Sequence, residues 1–203
     1  MKSLSEIETT VKRATRAAGF SWGISEDVGK SIRILEIFGL PGLKSLNQYF
    51  KDRNIKKFEN LSLISERNLP NILNFCPIIL GLNFLDQVKI IDQIKKIHFK
   101  NIAYPIIFIS FLSRASEIIG KKIYIKIDKI EFLLNYNVNI FSNFFKHDLL
   151  FVGNTIEVEF IDNHDNFSDT EWKELYKLSE KTFVEETESL KQVGAGAGLT
   201  DND

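Results

Sequence analysis

The residues whose types and spacing could support chemistry gather early in the chain. Glu26, Lys30 and Arg33 follow one another at spacings of four and three, which puts them on one face of a helix. Immediately before them stands an aromatic elbow, Gly19-Phe-Ser-Trp-Gly23. In a site, Glu26 would act as general acid/base and Trp22 would form an apolar wall. Arg33, joined by the distant Arg114, would grip a carboxylate or phosphate, with Asp86 a further candidate for ligand binding. Ordinary roles compete with these: Glu26 and Lys30 as a surface ion pair contributing about 0.3 kcal/mol, and Trp22 as a core anchor. The two readings divide on whether the side chains converge on one pocket. No reaction follows from the arrangement itself.

A second candidate is the C-terminal stretch. Gly194-Ala-Gly-Ala-Gly198 leads to Asp201, Asn202 and Asp203, and from Glu185 onward five acids face one lysine. Asp201 and Asp203 would suit a cation, a basic partner or an amine-bearing ligand. The alternative is a flexible linker. Ordering ten such residues costs on the order of 10 kcal/mol, so docking would need buried hydrogen bonds or a ligand. The glycines are no dinucleotide fingerprint, because no strand precedes them.

Other signatures are missing. There is no GxSxG, HExxH or Walker A loop. His98, His147 and His164 lack paired-ligand spacing, so no metal site is expected. Asp162-Asn-His-Asp-Asn-Phe-Ser-Asp169 resembles a calcium loop only superficially. Phe167 stands where glycine is required and Lys173 where the twelfth-position acid belongs. Cys76 before Pro77 reads either as a thiol favoured by a helix N-terminus or as a buried, inert cysteine. No cofactor is indicated.

Composition bounds the rest. The 203 residues are 44% hydrophobic and 26% charged, with net charge -1 and pI near 6.3. No global field draws such a chain to nucleic acid or anionic lipid. Met1–Glu6 contains no apolar run, so no signal peptide is expected. Ile102–Leu112 is about half the length that spans a bilayer. The expectation is a soluble cytoplasmic protein with a single α+β domain over 1–184 and an acidic tail over 185–203. Its partner would be a small molecule or another protein.

The elements that must position the candidates follow from periodicity. Leu4, Ile7, Val11, Ala14 and Ala18 make one helical stripe, capped by Ser3 or Ser5 and stopped by Gly19. A second helix is expected from an N-cap at Ser25 to Phe38, with Glu26 and Asp27 in its first turn. A short third helix covers Leu43–Phe50, and 51–74 is weakly patterned, with a short strand at Leu61–Ile64. Pro77 opens a helix through Ile91. The segment 102–119 is ambiguous, and a helix from Ile106 to Ile119 is favoured. Alternation at Ile123, Ile125 and Ile127, more weakly over 133–140, and again at Ile156, Val158 and Phe160 predicts strands. With no helix between them, antiparallel pairing is expected. Ser168 and Glu171 form a capping box that opens a last helix. The fold class is therefore α+β: a helical first half, then a small antiparallel sheet plus a helix.

The chain resembles an uncharacterised bacterial family known as a domain of unknown function. The similar stretches are Arg16-Ala-Ala-Gly19 with Trp22-Gly23, Glu26-Asp27-x-Gly29, Gly39-Leu-Pro-Gly42, and Cys76-Pro77 with Gly81 and Asp86. Tyr104-Pro105, Phe111-Leu112-x-Arg114 and the ending Gly194-Ala-Gly-Ala-Gly-Leu-Thr-Asp-Asn-Asp203 complete them. Ser189-Leu190-Lys191 departs from the Ser-Arg pair of that family. The resemblance implies weight for elbow and tail but supplies no chemistry. The function expected is a small-molecule-binding protein or enzyme of bacterial metabolism, or else a non-catalytic accessory subunit of a complex.

Overall fold

Ser3 and Ser21 start the first two helices in the same way. In the computed structural model, which describes residues 2–144 and 148–183, the Ser3 hydroxyl accepts from the Glu6 N–H at 3.1 Å and opens α1, Leu4–Ala17. Ser21 accepts from the Ile24 N–H at 3.3 Å and opens α2, Trp22–Ile37. The expected cap at Ser25 is corrected by this. Ser25 is wholly buried and donates to the Ser21 carbonyl at 2.7 Å. Ser21 is as competent a cap as Ser25, and the left-handed turn at Gly19 (φ 94°) delivers it first. Glu26 and Asp27 therefore lie beyond the first turn.

Helix α3 (Gly42–Arg53) ends on Lys51 and Arg53, charges that suit a helix C-terminus. Helix α4 (Pro77–Ile91) carries Cys76 at its N-cap, and α5 (Pro105–Ile119) runs between Tyr104 and a left-handed Gly120. The ambiguity over 102–119 resolves here. Every residue from Pro105 to Ser113 is buried, so this part of α5 is largely apolar because it is covered on every side. It packs against α2, α3, α4 and the sheet.

Six strands form one mixed sheet in the order β1-β2-β6-β3-β4-β5. They are β1 (Arg67–Asn68), β2 (Lys96–Ala103), β3 (Lys122–Ile127), β4 (Ile130–Asn135), β5 (Asn139–Ser142) and β6 (Val152–Ile161). All neighbouring pairs are antiparallel except β1 with β2. Parallel pairing there departs from the expectation because α4 supplies the crossover. The strand expected at Leu61–Ile64 is absent, its place taken by β1. Strand β2 escaped notice because Asn101, at φ 51°, breaks the alternation: Ile97 and Phe99 are followed into the core by Ile102. The single weak strand expected over 133–140 is two, joined by a turn in which Val138 adopts φ 58°.

One face of the sheet buries Ile97, Phe99, Ile123, Ile125, Phe132 and Val158. Phe84 joins α4 to it through Phe99 and Phe160, at centroid distances of 6.5 and 6.2 Å, and to α5 through Phe108 at 5.7 Å. On the other face Lys96 meets Glu159 at 3.3 Å and His98 meets Glu157 at 3.8 Å, so opposite charges alternate across strands.

The chain divides into units 1–163 and 164–203. In the second, Ser168 and Glu171 form the expected capping box of α6, Asp169–Ser179, and Trp172 stacks on Phe167 at 5.7 Å. Among the described residues no helix is long and apolar enough to cross a membrane. His147 and the tail with Asp201 and Asp203 lie outside the described residues.

Candidate functional site

The elbow that joins α1 to α2 forms one wall of a cleft of about 590 Å³. Gly19 turns the chain and drives Phe20 inward, where it is buried. The last turn of α3 then lays Arg53 over the Phe20 ring, 4.3 Å from its centroid, and Arg53 donates to the Ala18 carbonyl. Lys56 and Lys57 continue the rim, and Phe58 and Ile79 line the interior. Arg53, Lys56 and Lys57 are three cations, and no carboxylate of a described residue lines the cleft. Lys56 is held by Asp52 at 2.5 Å. Lys57 makes no ion pair with a described residue.

Helix α4 supplies the floor. The Cys76 sulfur caps the helix, accepting from the Ile79 N–H at 3.5 Å, and lies 3.0 Å from the Tyr49 hydroxyl. Burial pushes both the Cys76 thiol and the Tyr49 phenol up from their ordinary values. Both therefore keep their protons at neutral pH, and Cys76 is no ready thiolate there.

Behind the rim, Asp52 accepts from the Tyr104 hydroxyl at 2.6 Å and from Gln48 at 3.0 Å. Lys56, and then Tyr104, hold its carboxyl down at about 2. Burial and the Asp52 charge raise the Tyr104 phenol. The Asp52 pKa is lower folded than unfolded, so its contribution is present above about pH 4 and lost as pH falls toward 2. Asp52→Asn is therefore expected to flatten the fall in melting temperature between pH 4 and 2. An acid limb identical to that of the unmodified protein would contradict this.

The residues singled out in the sequence lie elsewhere. Arg33 and Arg114 share a second cavity of about 540 Å³ with Glu8, Lys30 and Glu117, across from the β4–β5 turn. Trp22, Glu26 and Asp86 do not line it. Its cations have internal partners: Arg33 with Glu8 at 2.7 Å, Arg114 with Asp27 at 2.8 Å, and Lys30 with Glu26 at 3.2 Å. Glu26 also takes Lys12 of α1 at 3.3 Å, and the two lysines hold its carboxyl below the usual range. Trp22 is 56% exposed, with the Arg16 guanidinium 5.6 Å from its ring, and Asp86 is exposed on α4.

Tyr49, Arg53, Lys56, Lys57 and Phe58 are not among the residues that the sequence singles out. Their signal is basic residues interleaved with aromatics over 49–58, where the end of α3 runs into a weakly patterned loop. Among the described residues no group of three or more His, Cys, Asp or Glu side chains is placed to hold a metal ion.

Residues 2–72 match the model of a family described as protein of unknown function (DUF3726). That span contains every residue lining the first cleft except Cys76 and Ile79. No curated protein and no solved structure matches the chain.

Proposed function

We propose that the protein binds a small anionic organic molecule in the cleft between the elbow, α3 and the start of α4. The observation that carries this is the charge of the lining: Arg53, Lys56 and Lys57 stand over an aromatic interior with no carboxylate among them. Cations on a concave, partly apolar wall attract an anion and reward the burial of its apolar body. The volume of about 590 Å³ suits a ligand of ordinary metabolite size. The second cavity is a weaker candidate, since Arg33 and Arg114 already have carboxylate partners.

The test is thermal stability in the presence of matched probes. A ligand that binds only the folded state raises its stability by about 2.7 kcal/mol at a hundredfold excess over Kd. Phenyl phosphate or benzoate is expected to raise the melting temperature, and neutral benzamide is not. Equal shifts with charged and neutral probes, or no shift with any, contradict the proposal.

A second reading, an interaction subunit, draws on the exposed apolar side chains Ile55, Leu63, Leu69 and Ile72, of which Ile72 is 91% exposed. On that reading, cross-linking in extract of the native host captures a stoichiometric partner that Leu69→Lys/Ile72→Lys loses. Equal capture by both forms removes it.

A further inference from the structure

We infer that the ligand of this cleft carries, besides its anionic group, a neutral hydrogen-bond acceptor such as a carbonyl oxygen, received on the floor by the Tyr49–Cys76 pair. This rests on the anion-binding reading above and adds to it the chemistry of the buried end of the ligand.

The argument is a count of hydrogens. A tyrosine hydroxyl and a cysteine thiol each carry one donor hydrogen. The Tyr49 hydroxyl and the Cys76 sulfur are 3.0 Å apart, and either can donate to the other. One contact uses one hydrogen, so whichever group donates, the hydrogen of the other is left over. The other polar contacts of the pair do not absorb it: the Ile79 and Ile78 N–H groups face the sulfur as donors and bring hydrogens of their own. The pair is closed to bulk water, with Tyr49 1% and Cys76 3% exposed. Both residues nonetheless line the cleft. A donor hydrogen buried without an acceptor is costly, and the cleft is the space that both residues line. Burial also keeps both groups protonated, so the spare hydrogen persists at neutral pH.

The remaining lining fits the same ligand. Besides the cations Arg53, Lys56 and Lys57 it presents the apolar side chains Phe20, Ile24 and Phe58. A molecule matching this lining has an anionic group, a flat apolar body and a carbonyl-type acceptor. Because the pair can present either hydrogen, removing one partner frees the other. Tyr49→Phe leaves the thiol hydrogen and Cys76→Ala leaves the phenol hydrogen, so each single variant keeps a donor. Only the double variant has none.

The experiment is calorimetric titration with isosteric probes, acetylphenyl phosphate and isopropylphenyl phosphate, each as its meta and para isomers. The unmodified protein is expected to prefer an acetyl probe by about tenfold, the scale of one neutral hydrogen bond. Each single variant retains a preference, and Tyr49→Phe/Cys76→Ala loses it while still binding the isopropyl probe. If no probe binds the unmodified protein, the anion-binding reading fails and this inference with it. If acetyl and isopropyl probes bind equally, the anion site stands and the acceptor inference is overturned. A preference that persists in the double variant also overturns it, since another group would then be the donor. Should the double variant not fold, Cys76→Ser decides. A hydroxyl is a better donor than a thiol, so the preference must be kept or increased, and its loss contradicts the inference.

Discussion

Gly81→Ala is expected to destabilise the protein by about 2 kcal/mol, even though alanine is the better helix former by about 1 kcal/mol. A β-carbon at Gly81 would lie 2.3 Å from the Phe111 ring, far inside contact distance. Phe111 is wholly buried on α5, which is enclosed by α2, α3, α4 and the sheet, so the ring has nowhere to retreat. A contact this short belongs at the upper end of the roughly 1–3 kcal/mol that overpacking costs, and about 3 kcal/mol less the gain in propensity leaves about 2 kcal/mol. At this size the net loss lowers the melting temperature by about 4–8 °C. A double-mutant cycle checks the cause. Phe111→Ala alone costs about 3–5 kcal/mol, but in that background the added methyl enters the vacated space, and Gly81→Ala becomes neutral or stabilising. An equal cost in both backgrounds would mean that the α4–α5 approach is not what requires glycine.

Lys57→Glu carries the largest expected effect on binding. Lys57 makes no ion pair with a described residue, so its reversal should change the stability by no more than about 0.5 kcal/mol. Arg53 and Lys56 are poorer choices for this test, because the first is stacked on Phe20 and the second is held by Asp52. A charge-assisted hydrogen bond contributes about 1.5–3 kcal/mol. Losing one at the rim weakens binding of phenyl phosphate by about ten- to a hundredfold. Lys126→Glu, on the exposed face of the sheet, should leave binding unchanged, and added salt should weaken it in the unmodified protein. A similar loss from both reversals would point to a general charge effect rather than to a site.

Much of the fold is written in periodicity and caps. The apolar stripe of α1, Pro77 and Pro105 at the starts of α4 and α5, Gly120 at the end of α5 and the Ser168–Glu171 box are each local and physical. So is the alternation over β3 and most of β6. The misreadings come where a local signal is duplicated or broken. Ser21 and Ser25 are equivalent as caps, and only the geometry of the elbow chooses between them. Asn101 and Val138, both at positive φ, interrupt patterns that a period-two search requires. Strand β1 has two residues and exists only because β2 lies beside it.

The site was less legible, for a related reason. Helical spacing placed Glu26, Lys30 and Arg33 on one face, and the structure does bring Arg33 and Arg114 to one cavity. Spacing says nothing of the partners that neutralise such charges, and Glu8, Asp27 and Lys12 are those partners here. The cationic cleft draws instead on the end of α3, the loop after it and a cysteine twenty residues further on. No period connects these. What connects them is the packing of Tyr49 against Cys76 and of Arg53 against Phe20.

The claim that the cleft is a binding site for an organic anion is tested most directly by a two-dimensional NMR titration of isotopically labelled protein with phenyl phosphate. The expected result is saturable shifts confined to the amides of the elbow, Arg53–Asn60 and Cys76–Ile79, absent with benzyl alcohol and reduced by Lys57→Glu. Saturable shifts centred instead on Arg33, Arg114 and Asn137–Asn139, or no saturable shift at all, would contradict it.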